Sequence, residues 1–186
     1  SFTAALRTYA DLAVTAVDVP ASASSGSDIN VGWTVKNNGG ADATSATGWV
    51  DRIVLSRDDV IGNGDDVVLG EVAHGAALAA GASYSQTATV RIPTRIDGAY
   101  KIAVVSDATA KVVEPDTRAD NARLSAAIAI TQTYADLVPT LSVVPSEVFA
   151  GRSAHVEWSV RNAGTVATDV NRWVDQVYLS STTGLT

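Results

Sequence analysis

Hydrophobic and polar residues alternate most cleanly over residues 29–36, where Ile29, Val31, Trp33 and Val35 interleave with Asn30, Gly32, Thr34 and Lys36. A period of two is the mark of a half-buried β-strand. Residues 12–19 alternate more loosely and stop at Pro20, as an edge strand does because Pro cannot donate to a ladder. The polar stretch 21–27 reads as a turn, and Asn37-Asn38-Gly39-Gly40 breaks the next strand with residues that tolerate positive φ. Further strands are predicted over 49–56, 67–72, 84–92, 99–106 and 122–130, the last with Leu124, Ala126, Ile128 and Ile130 on one side. The Ala-rich stretch 73–80 is short and reads as loop. No helix-period stripe or capped helix start occurs.

Seven short strands separated by turns over roughly 120 residues predict an all-β fold, an immunoglobulin-like antiparallel β-sandwich. Trp33 is expected in its core, where alternating faces of two sheets meet.

The pattern then repeats. Tyr-Ala-Asp-Leu stands at 9–12 and again at 134–137. At that spacing Pro20 falls on Pro145, Gly26 on Gly151, Trp33 on Trp158, Asn37 on Asn162 and Gly39 on Gly164. After one deletion, Trp49-Val50-Asp51 matches Trp173-Val174-Asp175, and Leu55-Ser56 matches Leu179-Ser180. Self-similarity at a fixed spacing predicts tandem repeat units. Residues 9–132 read as one complete unit and 134–186 as the N-terminal part of a second, incomplete one with three strands. Residues 1–8 line up with 126–133 and read as the closing strand of an upstream unit or a linker. On this reading the absence of Met places the first residue inside a longer protein.

Half a sandwich would leave Val156, Trp158, Val160, Val177 and Leu179 uncovered, a larger apolar patch than monomers normally show. Missing strands, strands from a neighbouring chain, or a filament contact would each cover it.

The order Ala-Asp-Leu, Val-x-Trp-x-Val-x-Asn-x-Gly and Trp-Val-Asp-x-Ile/Val-x-Leu-Ser resembles the CARDB family, the cell-adhesion-related domain found in bacteria. Leu69-Gly70 and Leu78-Ala79-Ala80-Gly81 are similar to the family's middle segment, whereas the loop 114–121 departs from its usual Glu/Asn-rich ending. The resemblance implies an immunoglobulin-like sandwich within large secreted or cell-surface bacterial proteins, with adhesion as the associated role.

Composition changes this picture little. A net charge of −7 argues against capture of nucleic acid or of an anionic membrane surface. No apolar run is long enough to span a bilayer. With no Cys, each unit must be held by its own core rather than by disulfides.

Candidate chemistry is sparse. The loop 57–66 holds Asp58, Asp59, Asn63, Asp65 and Asp66, hard oxygen donors suited to calcium, with Gly62 and Gly64 letting the chain fold round an ion. The same residue types also make ordinary turns. The second copy begins this loop as Ser181-Thr182-Thr183-Gly184, without acids. Asp51 and Asp175 share the phase of buried positions; they read as ligands or as carboxylates tying down loop amides. Asp11 and Asp136 read as parts of the joint before each unit. Tyr134 reads as inter-unit packing or as plain linker. His74 in a loop and His155 on a strand's polar phase have no nucleophile to serve, and Asn30 holds the position in the first copy that His155 holds in the second. The chain is expected to lack catalysis and cofactors. It is expected to act as stalk and interaction scaffold, its partners being neighbouring units and an extracellular protein or glycan. Two other readings stay open: a ligand-binding accessory module of a secreted enzyme, and a surface-layer or filament subunit.

Overall fold

The alternation over Asp28–Asn37 becomes the longest strand of the computed structural model, which describes residues 7–75, 77–115 and 117–181. Ile29, Val31, Trp33, Val35 and Asn37 are buried on one face while Asn30 and Lys36 are exposed on the other. The chain divides into two units, Ser1–Gln132 and Thr133–Thr186.

In chain order the first unit contains β1 (Leu12–Asp18), β2 (Ser22–Ser24), β3 (Asp28–Asn37), β4 (Ala43–Thr44), β5 (Trp49–Ser56), β6 (Val67–His74), β7 (Ala77–Leu78), β8 (Ser83–Arg91), β9 (Gly98–Val105), β10 (Ala122–Leu124) and β11 (Ile128–Thr131). One sheet runs β1-β3-β8. The other runs β2-β11-β9-β5-β6, with β10 also on β9. Leu12, Val31, Trp33, Val35, Ile53, Ile92, Ile102, Val104 and Ile128, drawn from both sheets, are packed in one buried cluster. The first unit is therefore an all-β sandwich whose stability rests on two apolar sheet faces. β1 lies at a sheet edge, as Pro20 predicted.

Four expectations about secondary structure need correction. The segment 122–130 is two strands, because Ser125 interrupts the alternation. Its Oγ accepts from the Ile102 amide at 3.0 Å and its own amide donates to the Ile102 carbonyl at 2.8 Å, so Ser125 is buried and Ala126 is exposed. The turn expected at 21–27 contains β2, which pairs parallel with β11 in an otherwise antiparallel fold. The stretch 73–80, expected as loop, supplies the end of β6 and all of β7, where Leu78 is buried. A 3₁₀ turn occupies Arg118–Asn121.

The fourth correction concerns the second unit. It contains β12 (Leu137–Val143) and β13 (Glu157–Asn162), paired antiparallel with Leu137 opposite Asn162, as Leu12 lies opposite Asn37. Each pair carries one bulge, between Val14 and Ala16 in β1 and between Leu141 and Val143 in β12. The third expected strand, 173–180, is not formed. Its counterpart β5 is flanked by β6 and β9, which satisfy its backbone groups; among the described residues 173–180 have no such neighbours. Positions 1–6 of the expected upstream strand lie outside the described residues, and Arg7 and Thr8 are not in a strand.

Candidate functional site

Alternation puts Trp33 of β3 and Asp51 of β5 on the facing sides of the two sheets. The Trp33 indole donates to Asp51 Oδ2 at 2.8 Å. Tyr84 of β8 donates its hydroxyl to the same oxygen at 2.8 Å. The Tyr84 oxygen in turn accepts from the Trp49 indole at 3.2 Å and lies 3.3 Å from Ser106 Oγ. Asp51 is fully buried; both bonds fall on Oδ2, where they replace water given up on folding, while Oδ1 is buried without a hydrogen-bond partner among the described residues. Its partners are an indole and a phenol from the opposite sheet, not the loop amides expected from sequence.

His74 ends β6 opposite Trp49, rather than lying in a loop. Its ring stacks on Tyr84 with centroids 3.7 Å apart and lies 4.4 Å from Trp49. Burial lowers the His74 pKa, with the Asp51 charge opposing. Burial first, then the Asp51 charge, pushes the Tyr84 phenol well above its usual 10.0. Both shifts favour neutral rings in the stack. The cluster is a latch between sheets. His155 is exposed, precedes β13 and lies 2.8 Å from Glu157.

A second arrangement sits at the start of the unit. Asn37 Oδ1 accepts from the amides of Asp11 and Gly39, both at 3.0 Å, and its Nδ2 donates to the carbonyls of Ala41 at 2.9 Å and Leu78 at 3.1 Å. Gly39 is required because a Cβ there would stand 2.3 Å from the Tyr9 carbonyl oxygen. In the second unit Asn162 accepts from Asp136 and Gly164, both at 2.9 Å, and donates to Val166 at 2.7 Å. A Cβ on Gly164 would lie 2.3 Å from the Tyr134 carbonyl oxygen. The latch bond recurs too, with the Trp158 indole donating to Asp175 Oδ2 at 3.0 Å.

Within the loop 57–66 Asp58, Asp65 and Asp66 each accept from a loop amide, and Asp59 does not. Asp58 accepts from the Val60 amide at 2.8 Å and from the Asn63 side chain at 3.0 Å. Asn63 accepts from the Asp65 amide and Asp65 from the Arg57 amide, both at 3.3 Å. Asp66 accepts from the Gly62 amide, and Asp59 pairs with Lys101. Among the described residues no group of three or more His, Cys, Asp or Glu is placed to hold a metal ion.

Sequence reasoning missed a buried polar knot after β9. Asp107 accepts from the amides of Lys111 at 2.8 Å and Val112 at 2.9 Å. Arg118 reaches Asp107 Oδ2 and Glu114 Oε2, each at 3.2 Å, and Asn121 donates to Glu114 at 2.7 Å. Glu114 also accepts from the Leu12 amide, which ties this segment to β1. Burial of the carboxylates is offset by Arg118, whose fork suits two acceptors. The available signal was the i, i+4 spacing of Glu114 and Arg118. Burial, then the nearby Asp11 charge, raises the pKa of Asp120 beside this knot.

Every residue of these arrangements in the first unit lies in or next to the stretch 9–124, and that stretch matches the CARDB family model. The chain belongs to the CARDB family. This places it among bacterial adhesion-related domains. No match was found among curated proteins. Among solved structures, a CARDB domain from Pyrococcus furiosus in complex with di-metal ions is 19% identical, with a TM-score of 0.48 over 66% of this chain and 90% of that one. A β-glucosidase from Listeria innocua in complex with glucose is 13% identical, with a TM-score of 0.41 over 65% of this chain and 16% of that one. The alkylpurine DNA glycosylase AlkC from Pseudomonas fluorescens, bound to DNA containing an abasic site analog, is 16% identical, with a TM-score of 0.40 over 64% and 31%. Likeness at this level assigns no chemistry to this CARDB chain. Among the described residues no helix is long and apolar enough to cross a membrane.

Proposed function

We propose that this chain is a non-enzymatic adhesive and structural module of a large secreted or cell-surface bacterial protein, built from tandem immunoglobulin-like units. One observation carries the reading: what recurs is scaffold. The Asn37 and Asn162 turns make matching bonds, and so do Trp33–Asp51 and Trp158–Asp175. The acidic loop 57–66 begins in the second copy as Ser181-Thr182-Thr183-Gly184, without the acids of Asp58 and Asp59. Units of this kind extend a stalk, with stability set by each repeat and by its nearest neighbours, as in repeat arrays.

Single-molecule pulling tests this. The first unit should release one discrete length of roughly 400 Å as its ~120 residues extend. A glycan array should show no saturable binding. Saturable carbohydrate binding would instead support an accessory module of a secreted enzyme. Calcium at the loop 57–66 reduces to one measurement: a melting temperature raised by millimolar calcium supports it, and an unchanged melt removes it.

A further inference from the structure

Asn-Gly occurs twice in the first unit, at Asn38-Gly39 and at Asn63-Gly64. In such a pair the glycine amide nitrogen is free to attack the asparagine side-chain carbonyl carbon, since no Cβ on the glycine blocks the approach. The two pairs stand in opposite surroundings.

Asn38-Gly39 is locked. The Asn38 amide donates to the Asp11 carbonyl at 2.7 Å, and the Gly39 amide donates to Asn37 Oδ1 at 3.0 Å. Gly39 is wedged against the backbone of Tyr9 and Ala10, so close that a Cβ would overlap both. Its nitrogen is held by an acceptor, and its backbone cannot turn toward Asn38 Cγ without local opening. Around Gly64 nothing lies within 4 Å of where a Cβ would stand, and among the described residues its amide has no hydrogen-bond partner. The Asn63 side chain spans Gly64. Its Nδ2 donates to Asp58 Oδ2 at 3.0 Å, and its Oδ1 accepts from the Asp65 amide at 3.3 Å. That amide is a donor to the oxygen on which negative charge gathers as the nitrogen attacks.

From this we propose that Asn63 is a site of spontaneous covalent modification, deamidation through a succinimide, and that the fold protects Asn38 from it. The Gly64 nitrogen gives up its proton to solvent base and bonds to Asn63 Cγ. The Cγ–Nδ2 bond breaks, and Nδ2 takes up a proton and leaves as ammonia. One water then opens the ring at either carbonyl, giving aspartate or, with the main chain rerouted through Cγ, isoaspartate. The balance is one water consumed and one ammonia released, with no oxidation or reduction. The product adds one negative charge to the net −7 and sets a carboxylate beside Asp58, where Asn63 had donated. Like charges so close repel, and the clip across the loop is lost. The step needs only water, so it proceeds whatever the module binds.

The test incubates the intact chain in warm, mildly alkaline buffer and follows positions 38 and 63 by peptide mass spectrometry, with electron-transfer fragmentation to tell isoaspartate from aspartate. Asn63 should convert about tenfold or more faster than Asn38, which reacts only through local opening. In denaturant both pairs are released and should convert at similar rates. Gly64→Ala should slow conversion of Asn63 by about tenfold, because its methyl group hinders the attack. The fold should tolerate that change, since φ at Gly64 lies outside the left-handed region and the space is open. Unchanged amide exchange at Asp28–Asn37 checks this. Equal rates at 38 and 63 in the folded chain would overturn the proposal, and so would an Asn63 that stays intact while the denatured chain reacts at both. Aspartate without isoaspartate, or undiminished conversion in the Gly64→Ala chain, would overturn the route through the ring.

Discussion

Trp33–Asp51 and Trp158–Asp175 are the same bond in two surroundings. The distances, 2.8 and 3.0 Å, barely differ. What differs is cover: Trp33 and Asp51 are sealed by both sheets, whereas Trp158 and Asp175 are exposed. The comparison separates two levels of information. Short words of sequence set a hydrogen bond and a turn. Burial and strand order come from residues far along the chain, such as Tyr84 and the strands β8 and β9.

The comparison is broken most severely at the indoles. Trp33→Ala should cost the first unit about 3–5 kcal/mol, by loss of burial and creation of a cavity. Trp158→Ala should cost less than about 1 kcal/mol, since little packing is lost. Denaturant melts check both, and equal losses would place the two tryptophans in equivalent surroundings. Next comes the carboxylate. Asp51→Ala leaves two buried donors unpaired and should cost about 2–3 kcal/mol, whereas Asp175→Ala should stay within about 0.5 kcal/mol.

The smallest effect sharpens the first unit's latch through pH. The Tyr84 pKa is raised on folding, so its contribution is intact below 10.0 and is lost as pH climbs above that value, where only the unfolded chain ionises. The His74 pKa is lowered, so its contribution is present above 6.5 and is lost as pH falls through it. Melting temperature against pH should fall at both ends. Tyr84→Phe should flatten the alkaline limb.

Much of the fold was legible because alternation is local. β3, its core face and the buried Trp33 follow from eight residues, and Gly39 follows from the turn after them. The split at Ser125 was not legible, because it depends on the Ile102 backbone in another strand. Nor was the absence of a strand at 173–180, whose residues match β5 closely but lack its neighbours. The partners of Asp51 were hidden for the same reason: Tyr84 is distant in sequence. The knot of Asp107, Glu114, Arg118 and Asn121 was hidden by its setting in an irregular loop, where no periodicity marks burial. The acidic loop shows the converse, since its residue types suit a metal or a turn equally well.

The central claim is that identical local words yield a closed core where distant strands cover them, in the first unit, and an exposed strand pair among the described residues of the second. Amide exchange of the dilute intact chain, with nothing added, tests it most directly. The account predicts that Val31–Val35 exchanges only through unfolding of the first unit, and that Glu157–Asn162 exchanges far faster through local opening. Equal protection of the two segments in the monomer would contradict it.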